Sequence, residues 1–417
     1  MYARPALLGK TVLLSEVELI AGLAIILVAG VGAQLLAALL RVPGLLVLLA
    51  TGFVVGPVTG IVRPDEMFGD LLFPGVSLAV ALLLFDGGLQ LEFRRIRAWR
   101  NTTARLVTVG VVITWVIGSL TIDAVTDLDG RAAWLAGAVL VVSGPTVVVP
   151  LLRRIKPSPP SEDILEWEGI LIDPIGATLG LVMLNVVVSG DGAGEAVWSL
   201  LAITGAGIGA GVAGAALALG ALRIPALQSS LRVSVALAAA VAAYAVANLV
   251  AVEAGLFATT VVGICLANQR STPIADIAAF EEGVGVLAIG SLFVVLGARV
   301  PVQGVLDNLG PALVVLAVLV LVARPLAVLA STVRSNVDRP SALFMMALAP
   351  RGIVAAATAS VFALDLEEAG IEGAETLISV TFVVVIGAGV IYGLGSGPIG
   401  RRLGVIGKPN KQAEDQA

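Results

Sequence analysis

The sequence predicts an all-α polytopic membrane protein with about thirteen transmembrane helices. Three observations predict it. Of 417 residues, 58% are hydrophobic and only 13% charged, with mean hydropathy +1.03. Apolar stretches of about 20 residues, the length that crosses a bilayer as a helix, recur from end to end. Between them, basic and acidic loops alternate.

The spans fall near 17–40, 44–60, 69–91, 102–122, 132–152, 164–188, 197–221, 231–250, 254–268, 276–299, 309–332, 341–364 and 376–398. The second and ninth are short. Forty-eight glycines suit close helix approach in lipid, where apolar side chains gain little by meeting each other. No cleavable signal is expected, because Lys10 and Ser15-Glu16-Val17-Glu18 precede the first span without a small-residue cleavage site.

The loop charges set an orientation. One set of loops holds Arg41, the Arg94–Arg105 cluster, Arg153, Arg154, Lys156, Arg223, Arg232, Arg270, Arg334, Arg339, Arg401, Arg402, Lys408 and Lys411. The other holds Asp65, Glu66, Asp123, Asp127, Asp129, Asp191, Glu195 and the acids from Asp365 to Glu375. Roughly eighteen basic residues face one side and about five the other, which reads as cytoplasmic versus external. The N-terminus is expected outside and the C-terminus inside a cell membrane. Residues 401–417 are expected to form a short cytoplasmic tail, too small for a nucleotide-binding domain.

With no histidine, proton chemistry must run on carboxylates, lysine, arginine, tyrosine or water. A His-Glu-x-x-His zinc site and a Ser-His pair are both excluded, so an enzyme is not expected. No cofactor and no nucleic-acid partner are expected. Cys265 has no second cysteine to pair with and reads as a small buried hydrophobe.

Asp173 stands out against this background. It lies about 15 Å into the sixth span at 1.5 Å per residue, near the midplane. A carboxylate there costs about 3 kcal/mol or more, and such groups mark ion or proton sites by default. Glu166, seven residues earlier, shares its face, and the two acids are expected to line one pathway. Glu168 points roughly 140° away from Asp173. Its expected partner is Arg324, in a structural pair, with a snorkelling role for Arg324 as the alternative. Pro174 removes a backbone donor beside the acid and predicts a kink.

Two spans are interrupted at mid-depth, at Ser143-Gly144-Pro145-Thr146 and at Pro350-Arg351-Gly352. Matched Pro/Gly breaks in the two halves point to a binding site built on unwound helices. The plainer alternative is a pair of proline kinks. Asp86, Glu281 and Glu282 read as interfacial caps or funnel charges.

The motifs Leu83-Leu84-Phe85-Asp86-Gly87-Gly88-Leu89, Ser143-Gly144-Pro145-Thr146, Glu166 to Asp173, Arg324-Pro325 and Arg351-Gly352, in this order, resemble the monovalent cation/proton antiporter superfamily, specifically its sodium/proton exchanger branch. The resemblance covers nearly all the chain. It implies a homodimer of thirteen-helix protomers, an inverted repeat, and two broken helices crossing beside an essential aspartate. It further implies core helices near 102–188 and 309–398, dimerisation and scaffold helices near 17–91 and 197–299, and a single domain over 1–400. By that resemblance Asp173 exchanges proton and cation, and Glu168 with Arg324 is a stabilising pair. The expected partners are Na⁺ or K⁺, H⁺ and the lipid bilayer.

Two positions depart from the branch. Ile172 stands where Asn usually precedes the essential Asp, and Ser143-Gly144 where a Thr-Asp pair is usual. Asp173 is then the one evident carboxylate at the crossing. The remaining ligands for Na⁺ are expected from Ser143 and Thr146 hydroxyls, carbonyls freed around Gly144, and water. One carboxylate implies electroneutral exchange of one cation for one proton. The alternatives are a K⁺/H⁺ exchanger and a gated channel or sensor on a transporter fold.

Overall fold

The computed structural model describes residues 16–40, 42–190, 192–224, 228–269, 274–349 and 351–406. Among them the regular elements are helical, apart from one isolated bridge between Pro157 and Ile406. In chain order the membrane-scale helices begin with α1 (Leu19–Leu40), α2 (Gly44–Val58), α3 (Pro64–Gln90) and α4 (Arg100–Val125). A broken pair follows, α5 (Gly130–Val139) and α6 (Pro145–Ile155). Next come α7 (Ser161–Val188), α8 (Gly194–Leu222), α9 (Ser230–Val250), α10 (Ala254–Asn268), α11 (Ala275–Ala298) and α12 (Leu309–Thr332). A second broken pair, α13 (Arg339–Met346) and α14 (Ile353–Glu368), precedes α15 (Ala374–Leu403). Among the described residues, nine of these helices are long and apolar enough to cross a membrane.

The breaks occur where the sequence places them, for local reasons. Gly144 and Gly352 are extended N-caps at φ −85° and −96°, and Pro145 takes the first position of α6, where its missing N–H costs nothing. Pro350 lies outside the described residues, as do the side chains of Pro145 and Thr146. α7 runs on through Pro174 as one helix, and the Thr178 hydroxyl donates to the Pro174 carbonyl at 2.8 Å. Proline removes one backbone bond there, and the helix continues on both sides of it.

The last helix also outruns its expected end near 398 and closes at Leu403. Gly404 takes a left-handed conformation (φ +71°), and the Val405 amide donates to Gly400 O at 3.0 Å. Arg401 and Arg402 lie in that final turn, where the helix dipole favours cations.

The helices pack as two groups. α1, α2, α3, α8, α9, α10 and α11 associate with one another, and α4, α5, α6, α7, α12, α13, α14 and α15 form the second set. Within the first set, helices approach closely at paired glycines. A Cβ on Gly52 of α2 would lie 2.9 Å from the Gly297 Cα of α11, and one on Gly88 of α3 would lie 3.0 Å from the Gly263 Cα of α10. Only residues without a side chain permit that approach.

These features recur. Gly52 matches Gly263, Gly88 matches Gly297, the π-turn Leu106–Gly110 in α4 matches Leu319–Ala323 in α12, and the α5/α6 break matches the α13/α14 break. Every match sits about 210 residues from its counterpart, the mark of an internal structural repeat.

Candidate functional site

The site forms where α7 lies across the first break. Gly169, Asp173, Gly176 and Gly180 share one face of α7. A Cβ on Gly169 would meet Val148 of α6, one on Gly176 the Val142 side chain in the break, and one on Gly180 the ring of Phe362 in α14. Small residues thus bring α7 hard against both broken helices, with Asp173 at the centre of the contact. A Cβ on Gly144 would lie 2.6 Å from Asp173 Oδ2 and 2.8 Å from Oδ1. The Asp173 carboxylate fills the space that a side chain at 144 would need.

Asp173 is fully buried, and neither carboxylate oxygen has a hydrogen-bond partner among the described residues. A buried polar group without a partner is rare, and a carboxylate with two unpartnered oxygens is rarer. The N-terminal end of α6 begins beside the acid at Gly144, and helix N-termini carry partial positive charge.

Glu168 lies on another face, as its angular offset predicts, and pairs with Arg324. Arg324 Nη1 donates to Glu168 Oε1, and Nη2 donates to Oε2 at 2.9 Å. Arg324 Nε also donates to the Met345 carbonyl at 2.9 Å, at the end of α13. Arg351 makes the matching contact on the other break, donating to Val141 O at 2.8 Å where α5 ends. Each broken helix therefore has an arginine at its carbonyl end, where the dipole is negative. This role of Arg351 was not legible in the sequence, because it joins residues 210 apart in the chain.

Ser143 is buried and lines a 20 Å³ cavity with Thr114, Glu168, Ile172, Arg324 and Arg351. That space accommodates about one water molecule among polar groups. Ile172 shares the Glu168 face of α7, so the position usually held by Asn in the resembling branch looks into this cavity. The expected Thr146 ligand cannot be placed, since its side chain lies outside the described residues.

Glu166 has an ion-pair partner. It pairs with Arg95 at 3.3 Å, and Arg95 also reaches Asp163 at 2.7 Å. Burial opposes the Arg95 charge, but Glu166, Asp163 and Glu162 outweigh it and raise the guanidinium pKa. The sequence named Glu166 and missed its partner, because Arg95 sits on a separate short helix, Phe93–Ile96.

A larger cavity of 240 Å³ opens between the two helix groups. Its walls include Leu45 of α2, Asp86 and Gln90 of α3, Val147 and Arg153 of α6, and Tyr392 of α15. Gln90 donates to Asp86 Oδ2 at 3.0 Å and accepts from Arg153 Nη2 at 3.3 Å. Val147 is one turn from Gly144, so this cavity approaches the Asp173 site from the arginine-rich end. Asp86 thus stands in the cavity wall. Glu281 is buried and lies within electrostatic reach of Asp86.

Comparison with known proteins agrees with this geometry. The chain is 28% identical over 399 residues to the K(+)/H(+) antiporter NhaP of Alkalimonas amylolytica, covering 92% of the chain but only 66% of that relative. The chain thus spans just under two thirds of that protein's length. It is 24% identical over 345 residues to the Na(+)/H(+) antiporter 1 of Methanocaldococcus jannaschii, covering 78% of the chain and 79% of the relative. The structure of the sodium proton antiporter MjNhaP1 from M. jannaschii superposes with a TM-score of 0.82, at 21% identity, over 93% of the chain and 99% of that structure. The fold is therefore that of a multi-pass membrane protein. Residues 23–402 match the transmembrane domain of the sodium/hydrogen exchangers, a stretch that takes in both helix groups and both breaks, and so the chain belongs to the sodium/hydrogen exchanger family.

Proposed function

We propose that the chain is a secondary active transporter that exchanges a monovalent cation for protons across the cell membrane. The observation that carries this reading is Asp173, fully buried with both oxygens unpartnered. A carboxylate in that setting is costly unless it holds a proton or a cation. The two substrates then compete for one group, and binding either one discharges the other. Gly144 gives the acid its space, and carbonyls at the break, the Thr146 hydroxyl and water complete the cation's shell, while Ser143 lines the neighbouring cavity on the Glu168 face. The Glu168–Arg324 pair and Arg351 hold the carbonyl ends of the half-helices and leave Asp173 without a fixed counter-charge.

The matched features lie seven passes apart along the chain. If each pass crosses the bilayer, that odd number reverses the polarity of the second unit, giving an inverted repeat and thirteen crossings. The set containing α4–α7 and α12–α15 is the moving core, and the other set is the scaffold. Its exposed apolar surface, including Leu35 at 62% and Leu39 at 80%, meets lipid and a second copy in a homodimer. The arginine-rich face is cytoplasmic, which places the N-terminus outside and the C-terminus inside. Motion of core against scaffold exposes Asp173 to each face in turn.

Na⁺ is the first choice of cation. K⁺ is the second, favoured by the K(+)/H(+) antiporter name of one relative and by the missing acid and amide at Gly144 and Ile172. The test is purified protein in liposomes carrying a pH-sensitive dye, titrated with Na⁺, Li⁺ and K⁺. Cation-driven proton flux is expected in the unaltered protein and none in Asp173→Asn. Flux that persists in the variant sinks the assignment.

A further inference from the structure

A second, smaller cavity of 40 Å³ lies between the helix groups on the acidic face, away from the 240 Å³ cavity. Its walls come from the middle of α3 (Phe73, Ser77), the turn before α10 and its first turn (Glu253, Leu256), and the first turns of α14 (Val354, Thr358). The internal repeat relates these walls to those of the large cavity. Leu256 corresponds to Leu45, Val354 to Val147 and Val80 to Ile289, each about 210 residues apart and each pair lining the two cavities respectively. The small cavity is the symmetry counterpart of the large one, in collapsed form.

Glu253 distinguishes the two. Its repeat counterpart is Val42, an apolar residue. Glu253 occupies the turn between α9 and α10 in a left-handed backbone conformation at φ +66°, which L-residues other than Asn, Asp and His seldom adopt. Glycine would relieve that strain, yet a carboxylate stands there, directed into the cavity wall. Among the described residues its side chain makes no hydrogen bond or ion pair, and Tyr244 of α9 is the titratable group within its electrostatic reach. The Tyr244 hydroxyl lies near Asn248 and near Ser77, the latter in the same wall. The walls supplied by α3 and α14 hold no titratable side chain. Arg299 stacks on Phe73 at 4.9 Å, but it is paired with Asp65 at 2.9 Å.

We propose that Glu253 is the carboxylate that gathers the monovalent cation at the mouth of this cavity, on the acidic face. The inference rests on the exchange activity proposed above. Ser77 and Thr358 supply hydroxyl oxygens along the route from Glu253 toward the α14 break. Burial raises the Glu253 pKa, so its charge is lost as pH on that face falls, earlier than for a carboxylate in water.

The test uses full-length protein in vesicles sorted by orientation, with Na⁺ or K⁺ supplied from one face at a time. Glu253→Gln is expected to raise the apparent KM about five- to ten-fold for cation on the acidic face, the effect of a partly screened charge. From the arginine-rich face the KM should change less than about two-fold. The difference from the unaltered protein should vanish as the acidic-face pH is lowered. Glu253→Gly separates site from fold: glycine accepts φ +66°, so this variant should keep or gain thermal stability while losing the same one-sided affinity. Equal shifts on both faces, or no shift in either variant, overturn the role of Glu253. Absence of exchange in the unaltered protein overturns the transport reading, and this inference with it.

Discussion

Gly144 and Asp173 contend for one volume, and that contest defines the site at the scale of a residue. Replacing Gly144 with alanine puts a methyl within 2.6 Å of the Asp173 carboxylate, closer than real contacts allow. Gly144→Ala is expected to reduce exchange at least ten-fold while the protein still folds, read as turnover beside a thermal midpoint. The neighbouring ion pair answers to a different measurement. Removing one partner of a buried pair leaves the other charge stranded, at a cost of about 3–5 kcal/mol. Arg324→Ala should therefore lower thermal stability sharply. Arg324→Lys should recover only part of it, because an ammonium cannot match the two-pronged contact with Glu168 and still reach Met345 O. The positions of Asp173, Glu168 and Arg324 were legible in the sequence from depth and helical angle alone. That Gly144 faces Asp173 was not, because it depends on how one helix lies across another.

At the scale of elements, glycines set how closely helices approach. A Cβ on Gly88 would fall 2.6 Å from the Thr260 carbonyl of α10, whereas one on Gly32 of α1 meets nothing within 4 Å. Gly88→Val is expected to destabilise the protein by about 1–3 kcal/mol by forcing α3 from α10. Gly32→Ala should leave the thermal midpoint unchanged or slightly raised, since alanine is the better helix former. The breaks in α5/α6 and α13/α14 were readable because Pro and Gly stand together at mid-span at matching places in both halves. The course of α7 through Pro174 was not. A proline inside a helix is compatible with either a kink or a continuous path, and the neighbours decide between them.

For the whole molecule, the proposed exchange has an electrical consequence. One buried carboxylate exchanging one cation for one proton moves no net charge. An imposed membrane potential should then leave the exchange rate unchanged, measured in liposomes with a valinomycin-clamped K⁺ gradient and Na⁺ as the transported ion. Net uptake driven by voltage would require a second titrating group. Competition at one site also predicts that the apparent KM for the cation rises as pH falls, which a pH series of cation titrations checks. The amino-acid sequence alone determined the membrane class, the helix pattern, the two interruptions and the depth of Asp173. Each of these follows from hydrophobic length, local backbone chemistry or a fixed rise per residue. Only the tertiary structure decided that Glu166 is bound to Arg95, that Arg351 holds the end of α5, and that two unequal cavities mirror each other across the repeat. Those facts join residues far apart in the chain, and no local propensity encodes the packing of one helix against another.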